Sequence, residues 1–177
     1  MSARKQAVRL NRREFLIAGT GVAGSLVLGL PRMTAADGDE RMLGFFVQIN
    51  ADGSIVIGSN QPEIGQGVRT ALPMLVAEEL DVEWSTVSVR QMPLGIVKTA
   101  DGYAWKYGGQ GVGGSTGLTS NWDYMREVGA TARRQLIRAA AKRLGVAEDQ
   151  CSTRPGAVIC AGQEIAYGKL IADAALL

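Results

Sequence analysis

Histidine is absent from the 177-residue chain, and cysteine occurs only twice, at Cys151 and Cys160. Without histidine the chain offers no His-based triad, no imidazole general base and no imidazole metal ligand. Two cysteines fall short of the four Cys or His ligands that a zinc or iron–sulfur site usually takes. Net charge is slight as well, +2, and much of the positive charge lies near the start, at Arg4, Lys5, Arg9, Arg12 and Arg13. No basic patch interleaved with aromatics follows, which excludes nucleic-acid binding. Demanding chemistry must therefore come from a cofactor held by backbone and polar groups, or from sequence outside this chain. What the chain has in quantity is glycine, 23 residues, and apolar residues, 46%. Its length suits one ordinary domain with a hydrophobic core.

The basic start runs through Asn11-Arg12-Arg13-Glu14-Phe15-Leu16 into an apolar stretch, Ile17 to Leu30, followed by Arg32 and the small residues Thr34-Ala35-Ala36. Charged head, apolar middle and small-residue exit predict a signal peptide over residues 1–36. Paired arginines before Phe-Leu specify the twin-arginine route and a periplasmic destination. That route carries folded proteins, so the leader is itself a hint of a cofactor loaded in the cytoplasm. As a helix, the run of about 14 residues spans roughly 21 Å, short of a hydrocarbon core of about 30 Å. Gly19, Gly21, Gly24 and Gly29 loosen it further. A stable anchor is thus the poorer reading, and membrane association stays open. Gly19-Thr20-Gly21-Val22-Ala23-Gly24 also fits the dinucleotide-binding Gly-x-Gly-x-x-Gly pattern. That pattern needs an acidic residue about 20 positions on, closing a second strand. Here Asp37, Asp39 and Glu40 lie in a polar linker with no strand before them.

From Met42 the periodicity turns to strands. Phe45, Val47 and Ile49 alternate with Phe46, Gln48 and Asn50, and Asn50-Ala51-Asp52-Gly53 supplies turn residues before Ser54 to Gly58 runs back. A β-hairpin is expected. Val68, Ala71, Leu72, Leu75, Val76 and Leu80 then recur at helical spacing. Proline is tolerated only in a first turn, so Thr70 is expected as N-cap with Pro73 just inside. Glu63 to Gly67 then becomes a glycine loop entering a helix N-terminus, where exposed N–H groups favour an anion. Trp84 to Gln91 reads as a strand region and Met92 to Gly114 as a glycine-dense loop. Ser120-Asn121-Trp122-Asp123 looks like a capping pattern. It opens a helix to about Leu144 that ends at Gly145, with Trp122, Met125, Gly129, Ala132, Leu136 and Ala140 as its apolar face. Cys151 to Cys160 reads as a hairpin turning at Pro155-Gly156. In one register the two cysteines face each other as a disulfide requires; a slip by one would leave two small thiols. A third helical pattern starts at Tyr167 and is unfinished at Leu177, which suggests a fragment. The fold class is α+β: hairpins and a mixed sheet with packed helices.

Two stretches together resemble the molybdopterin-binding large subunits of the xanthine oxidase family. Glu63-Ile64-Gly65-Gln66-Gly67-Val68-Arg69-Thr70, running into Val76-Ala77-Glu78-Glu79-Leu80, is similar to the family's Glu-x-Gly-Gln-Gly segment. About 45 residues later, Gly113-Gly114-Ser115-Thr116 before a long helix is similar to its second cofactor loop. Ala71 to Val82 looks most like the large subunits of isoquinoline 1-oxidoreductase type, which also begin with a twin-arginine-like leader. The resemblance covers about residues 42–177. It implies that residues 37–177 are the N-terminal, incomplete part of a molybdopterin-binding domain.

Further implications follow from the same resemblance. Such subunits bind molybdopterin cytosine dinucleotide and hydroxylate an N-heteroaromatic carbon or an aldehyde with oxygen from water. Electrons leave through a small partner subunit with two [2Fe–2S] clusters, a cytochrome c being a further candidate acceptor. Gly65, Gln66 and Gly67 would form one cofactor contact, and Gly113, Gly114, Ser115 and Thr116 the second. The family's catalytic glutamate and a further glycine loop lie much later and are expected beyond Leu177, so no catalytic residue is assigned within the chain. The chain alone is expected to be inactive. Gly65 and Gly67 also suit a plain tight turn, and Glu78-Glu79 a solvated helix side. Gly108 to Thr116 superficially resembles a P-loop but lacks its lysine. Tyr103, Trp105 and Tyr107 fit either a substrate entrance or partial core. The rival function is a short exported binding module without catalysis, or a truncated inactive family member.

Overall fold

A computed structural model describes residues 17–21, 25–29, 46–100, 102–105 and 109–177. In chain order the elements are β1 (Ile17–Gly21), β2 (Ser25–Gly29), β3 (Val47–Ile49), β4 (Ile55–Ser59), α1 (Val68–Leu80), β5 (Val87–Gln91), β6 (Ile96–Thr99) and β7 (Gly102–Trp105). There follow α2 (Trp122–Leu144), β8 (Cys151–Arg154), β9 (Ala157–Cys160), β10 (Gln163–Ala166) and α3 (Tyr167–Ala174). Among the described residues the strands make sheets in the orders β1-β2-β3-β4-β5, β10-β9-β8 and β6-β7. The parallel pairing of β4 with β5 makes the first sheet mixed, within the expected α+β class. Parallel neighbours need a crossover, and α1 supplies it.

The β3–β4 hairpin forms where alternation and turn residues place it, Val47 opposite Ile57 and Ile49 opposite Ile55. Its turn is fixed by Asp52, which accepts the Ser54 N–H at 2.9 Å, and by Gly53 at φ 88°. Val47, Ile49, Ile55 and Ile57 bury themselves against Leu72, Val76 and Leu80 of α1 and Met125, Ala132 and Leu136 of α2. Leu170 and Ala174 of α3 close the same core. The α2 face is the expected one, except that Trp122 in the first turn is exposed. Tyr167 joins α3 to the end of α1: its buried hydroxyl donates to the Leu80 carbonyl at 2.9 Å, and burial pushes the phenol well above its ordinary value.

Several expectations are corrected. Helix α1 begins at Val68, not after a Thr70 cap, and Pro73 lies inside it. Gly67 takes φ 80°, and its carbonyl receives the Thr70 and Ala71 N–H groups. Only glycine adopts that conformation cheaply, so the helix starts early and carries the proline. Asn121 does not cap α2 through its side chain. Trp84–Thr86 is a 3-10 turn and the strand proper starts at Val87. The glycine-dense segment after Met92 contains the β6–β7 ladder, and β10 adds a third strand to the cysteine hairpin. In the apolar run from Ile17, read as helical, the described residues form β1 and β2 instead, β2 pairing with β3. Its repeated glycines disfavour a helix interior. Arg12 and Arg13, the paired arginines, and Tyr107 lie outside the described residues. No helix among the described residues is long and apolar enough to cross a membrane.

Candidate functional site: two glycine loops at one end of paired helices

Both loops singled out in the sequence enter helices that lie side by side. The Glu63–Gly67 loop precedes α1, and the loop from Gly109 to Gly117 leads through a 3-10 turn (Thr119–Asn121) into α2. Val68, at the start of α1, lies 3.7 Å from a Cβ position at Gly117. Further along, Glu79 pairs with Arg126, and Val76 and Leu80 meet Gly129. The contacts advance in the same direction along both helices. Their N-termini therefore share one end, and the loops meet there.

In the first loop, the anion at the helix start is the chain's own. Glu63 accepts the N–H groups of Gly65 at 2.7 Å, Gly67 at 2.9 Å and Arg69 at 2.9 Å. The Arg69 N–H, then that of Gly67, holds this carboxyl below the usual carboxylate range. Gln66 folds back: its Oε1 accepts the Ile64 N–H at 2.7 Å and its Nε2 donates to the Pro62 carbonyl at 2.8 Å. Open space surrounds the glycines, since nothing lies within 4 Å of a Cβ built at Gly65 or Gly67. The lowered value belongs to the folded loop, so the cap is present above the ordinary range and is lost as pH falls through the lowered value. Amide exchange checks this. Protection at Gly65, Gly67 and Arg69, corrected for intrinsic rates, should fall on acidification and be low at every pH in Glu63→Ala. Protection that ignores both changes would contradict the cap.

The second loop differs in kind. Gly114 and Ser115 adopt φ 59° and 56°, and for serine that conformation costs about 1–2 kcal/mol. Thr116 turns back on Gly113, its Oγ1 donating to the Gly113 carbonyl at 3.2 Å. Among the described residues, the amides of Gly113, Gly114 and Ser115 have no protein acceptor. The site residues of both loops are therefore brought to one end, and the second loop holds the uncommitted donors.

Sequence reasoning missed the groups that join the loops. Asn60 Nδ2 donates to Asn121 Oδ1 at 2.9 Å, and Asn121 Nδ2 donates to the Gly117 carbonyl at 2.8 Å. Gln61 Nε2 donates to the Gly109 carbonyl at 2.8 Å, and Gln61 Oε1 accepts the Gly111 N–H at 3.3 Å. All three side chains are on buried residues. The available signal was faint: two amide side chains directly after an apolar strand, and a third inside a capping-like pattern. Tyr103 is exposed on β7, opposite Lys98 of β6. No cluster of His, Cys, Asp and Glu suited to a metal occurs among the described residues.

Comparison with known proteins identifies the family. The chain is 34% identical over 177 residues to the isoquinoline 1-oxidoreductase subunit beta of Brevundimonas diminuta, covering 95% of this chain and 22% of that protein. It is 28% identical to a membrane-bound aldehyde dehydrogenase [pyrroloquinoline-quinone] of Gluconacetobacter polyoxogenes, covering 96% of this chain and again 22% of the relative. The chain thus spans about a fifth of the length of these relatives. Quinoline 2-oxidoreductase from Pseudomonas putida 86 shares the fold, with a TM-score of 0.54 at 20% identity over 71% of this chain and 15% of that one. The family model for the molybdopterin cofactor-binding domain matches residues 1–176, and the chain belongs to that family.

Proposed function

We propose that the chain forms one wall of a molybdopterin cytosine dinucleotide site in the large subunit of an exported molybdenum hydroxylase acting on N-heteroaromatics or aldehydes. One observation carries the reading: two glycine loops, far apart in sequence, meet at the shared end of α1 and α2. The donor set fits a phosphate-bearing group. Among the described residues the amides of Gly113, Gly114 and Ser115 have no acceptor, and strained backbone at an exposed turn is typical of a ligand clamp. Glu63 already neutralises the α1 start, so the phosphates belong to the second loop and uncharged parts of the cofactor to the first. Gln66 reaches such a cofactor by exchanging its bonds to Pro62 and Ile64. When bound, the molybdenum group supplies the two-electron oxidation, with oxygen drawn from water. This chain's residues bind and orient it; the base that assists the reaction lies elsewhere. A small [2Fe–2S] subunit takes the electrons onward, with a cytochrome c as a candidate acceptor. Export by the twin-arginine route, supported by Arg12-Arg13-Glu14-Phe15-Leu16, places the loaded subunit in the periplasm.

Gln66→Ala tests the site. One hydrogen bond of ordinary strength corresponds to about 1 kcal/mol, so the variant should retain the cofactor roughly three- to tenfold more weakly. Its urea midpoint should stay near that of the parent, because Gln66 is exposed. Unchanged molybdenum and CMP content would remove Gln66 from the site.

A further inference from the structure

We propose that Asn60, Gln61 and Asn121 are positioning residues that clamp the two glycine loops into one preorganised unit, so that the cofactor is held by both loops or by neither. The proposal rests on the reading that both loops face a phosphate-bearing cofactor. None of the three side chains belongs to the loop motifs themselves. Each is buried, yet each directs its amide at the opposite loop or its root. The Asn60–Asn121 bond joins positions 61 residues apart. Gln61 uses both ends of its carboxamide on the backbone of the second loop, holding Gly109 and Gly111 together. Asn121 adds the Gly117 carbonyl, just where that loop packs on Val68.

Buried amides bonded across the loops in this way resist replacement, because losing one partner strands the other. Hydrophobic packing of α1 on α2 would hold the helices together without them. It would not by itself set the spacing of two exposed, glycine-rich loops, whose own side-chain bonds run within each loop. The clamp provides that spacing, and preorganisation of this kind lowers the ordering cost of binding.

The test follows coupling across the clamp in the protein purified from a host that makes the cofactor. Asn121→Ala, a change at the second loop's root, should raise amide exchange at Gly67, which ends the first loop, and at Arg69, in the first turn of α1, about tenfold. Gln61→Ala should do the same at Thr116 and Ser120. Both should lower molybdenum and CMP content while leaving the urea midpoint above half its parental value. Gln61→Glu guards against a variant that merely folds poorly. Its carboxylate still accepts the Gly111 N–H but faces the Gly109 carbonyl with a lone pair, unless protonated. Cofactor retention should then rise as pH falls, a dependence the parent lacks. Exchange confined to the substituted loop, or pH-independent retention in Gln61→Glu, would overturn the clamp. Loosening of both loops with unchanged cofactor content would overturn its role in binding. If Gln66→Ala and Gln61→Ala both leave the cofactor untouched, the site reading fails as well; if only Gln61→Ala does, the clamp alone fails.

Discussion

Gly129→Ala should cost on the order of 3 kcal/mol of folding stability. A Cβ at this position would stand 2.5 Å from the Val76 carbonyl oxygen, 2.8 Å from the Glu79 Cβ and 3.2 Å from the Leu80 nitrogen. Two of those atoms are backbone, so no rotamer change relieves the contact. Either α1 moves away from α2, opening the core that Leu72, Val76 and Leu136 fill, or the overlap is kept. Alanine returns up to about 1 kcal/mol through helix propensity, which is already deducted from the figure. The same displacement parts the N-termini of the helices, so loop spacing should suffer beyond the stability loss. Urea unfolding gives the first effect directly. A midpoint equal to the parent's would mean that the helices do not cross so closely here.

Reducing the Cys151–Cys160 disulfide should cost on the order of 2–3 kcal/mol, the chain-entropy value for a loop closed across nine positions. The cysteines are directly opposite in the β8–β9 ladder, with Cα atoms 4.3 Å apart. Cys160 is fully buried in the main core while Cys151 is only half-buried. Reduction leaves the side-chain volume nearly unchanged, which separates the cross-link from any cavity that substitution would create. Urea midpoints with and without reductant, the thiols trapped by alkylation afterwards, measure the difference. Coincident curves would show that the hairpin and the packing of β9 on α2 already hold this region.

The elements most legible in the sequence were those whose pattern is local. Period-two alternation with Asn50-Ala51-Asp52-Gly53 between its halves located β3 and β4, and the 3.6-residue recurrence from Met125 to Ala140 located the buried face of α2. The glycines of both loops stood out because few backbone geometries need them so densely. The cysteine pairing was half-legible: the hairpin was clear, and its register decided the bond. What stayed hidden depends on partners distant in the chain. Asn60 looks like any amide after a strand until Asn121 arrives from 61 positions away. Glu63 was visible as a motif residue, but its capture of Gly65, Gly67 and Arg69 N–H groups follows only once Gly67 turns left-handed. That turn also explains the missed start of α1, since proline rules apply to a helix whose first residue is already known. The β6–β7 ladder was masked by the glycines around it.

The most direct test of a cofactor wall at these loops is chemical: molybdenum and CMP released by acid from the native protein, purified from its own cells, each set against protein concentration. Comparable molar amounts of all three in the parent, with a marked fall in Gln66→Ala at an unchanged urea midpoint, are the expected result. Protein free of both molybdenum and CMP, folded and isolated from cells that make the cofactor, would contradict it.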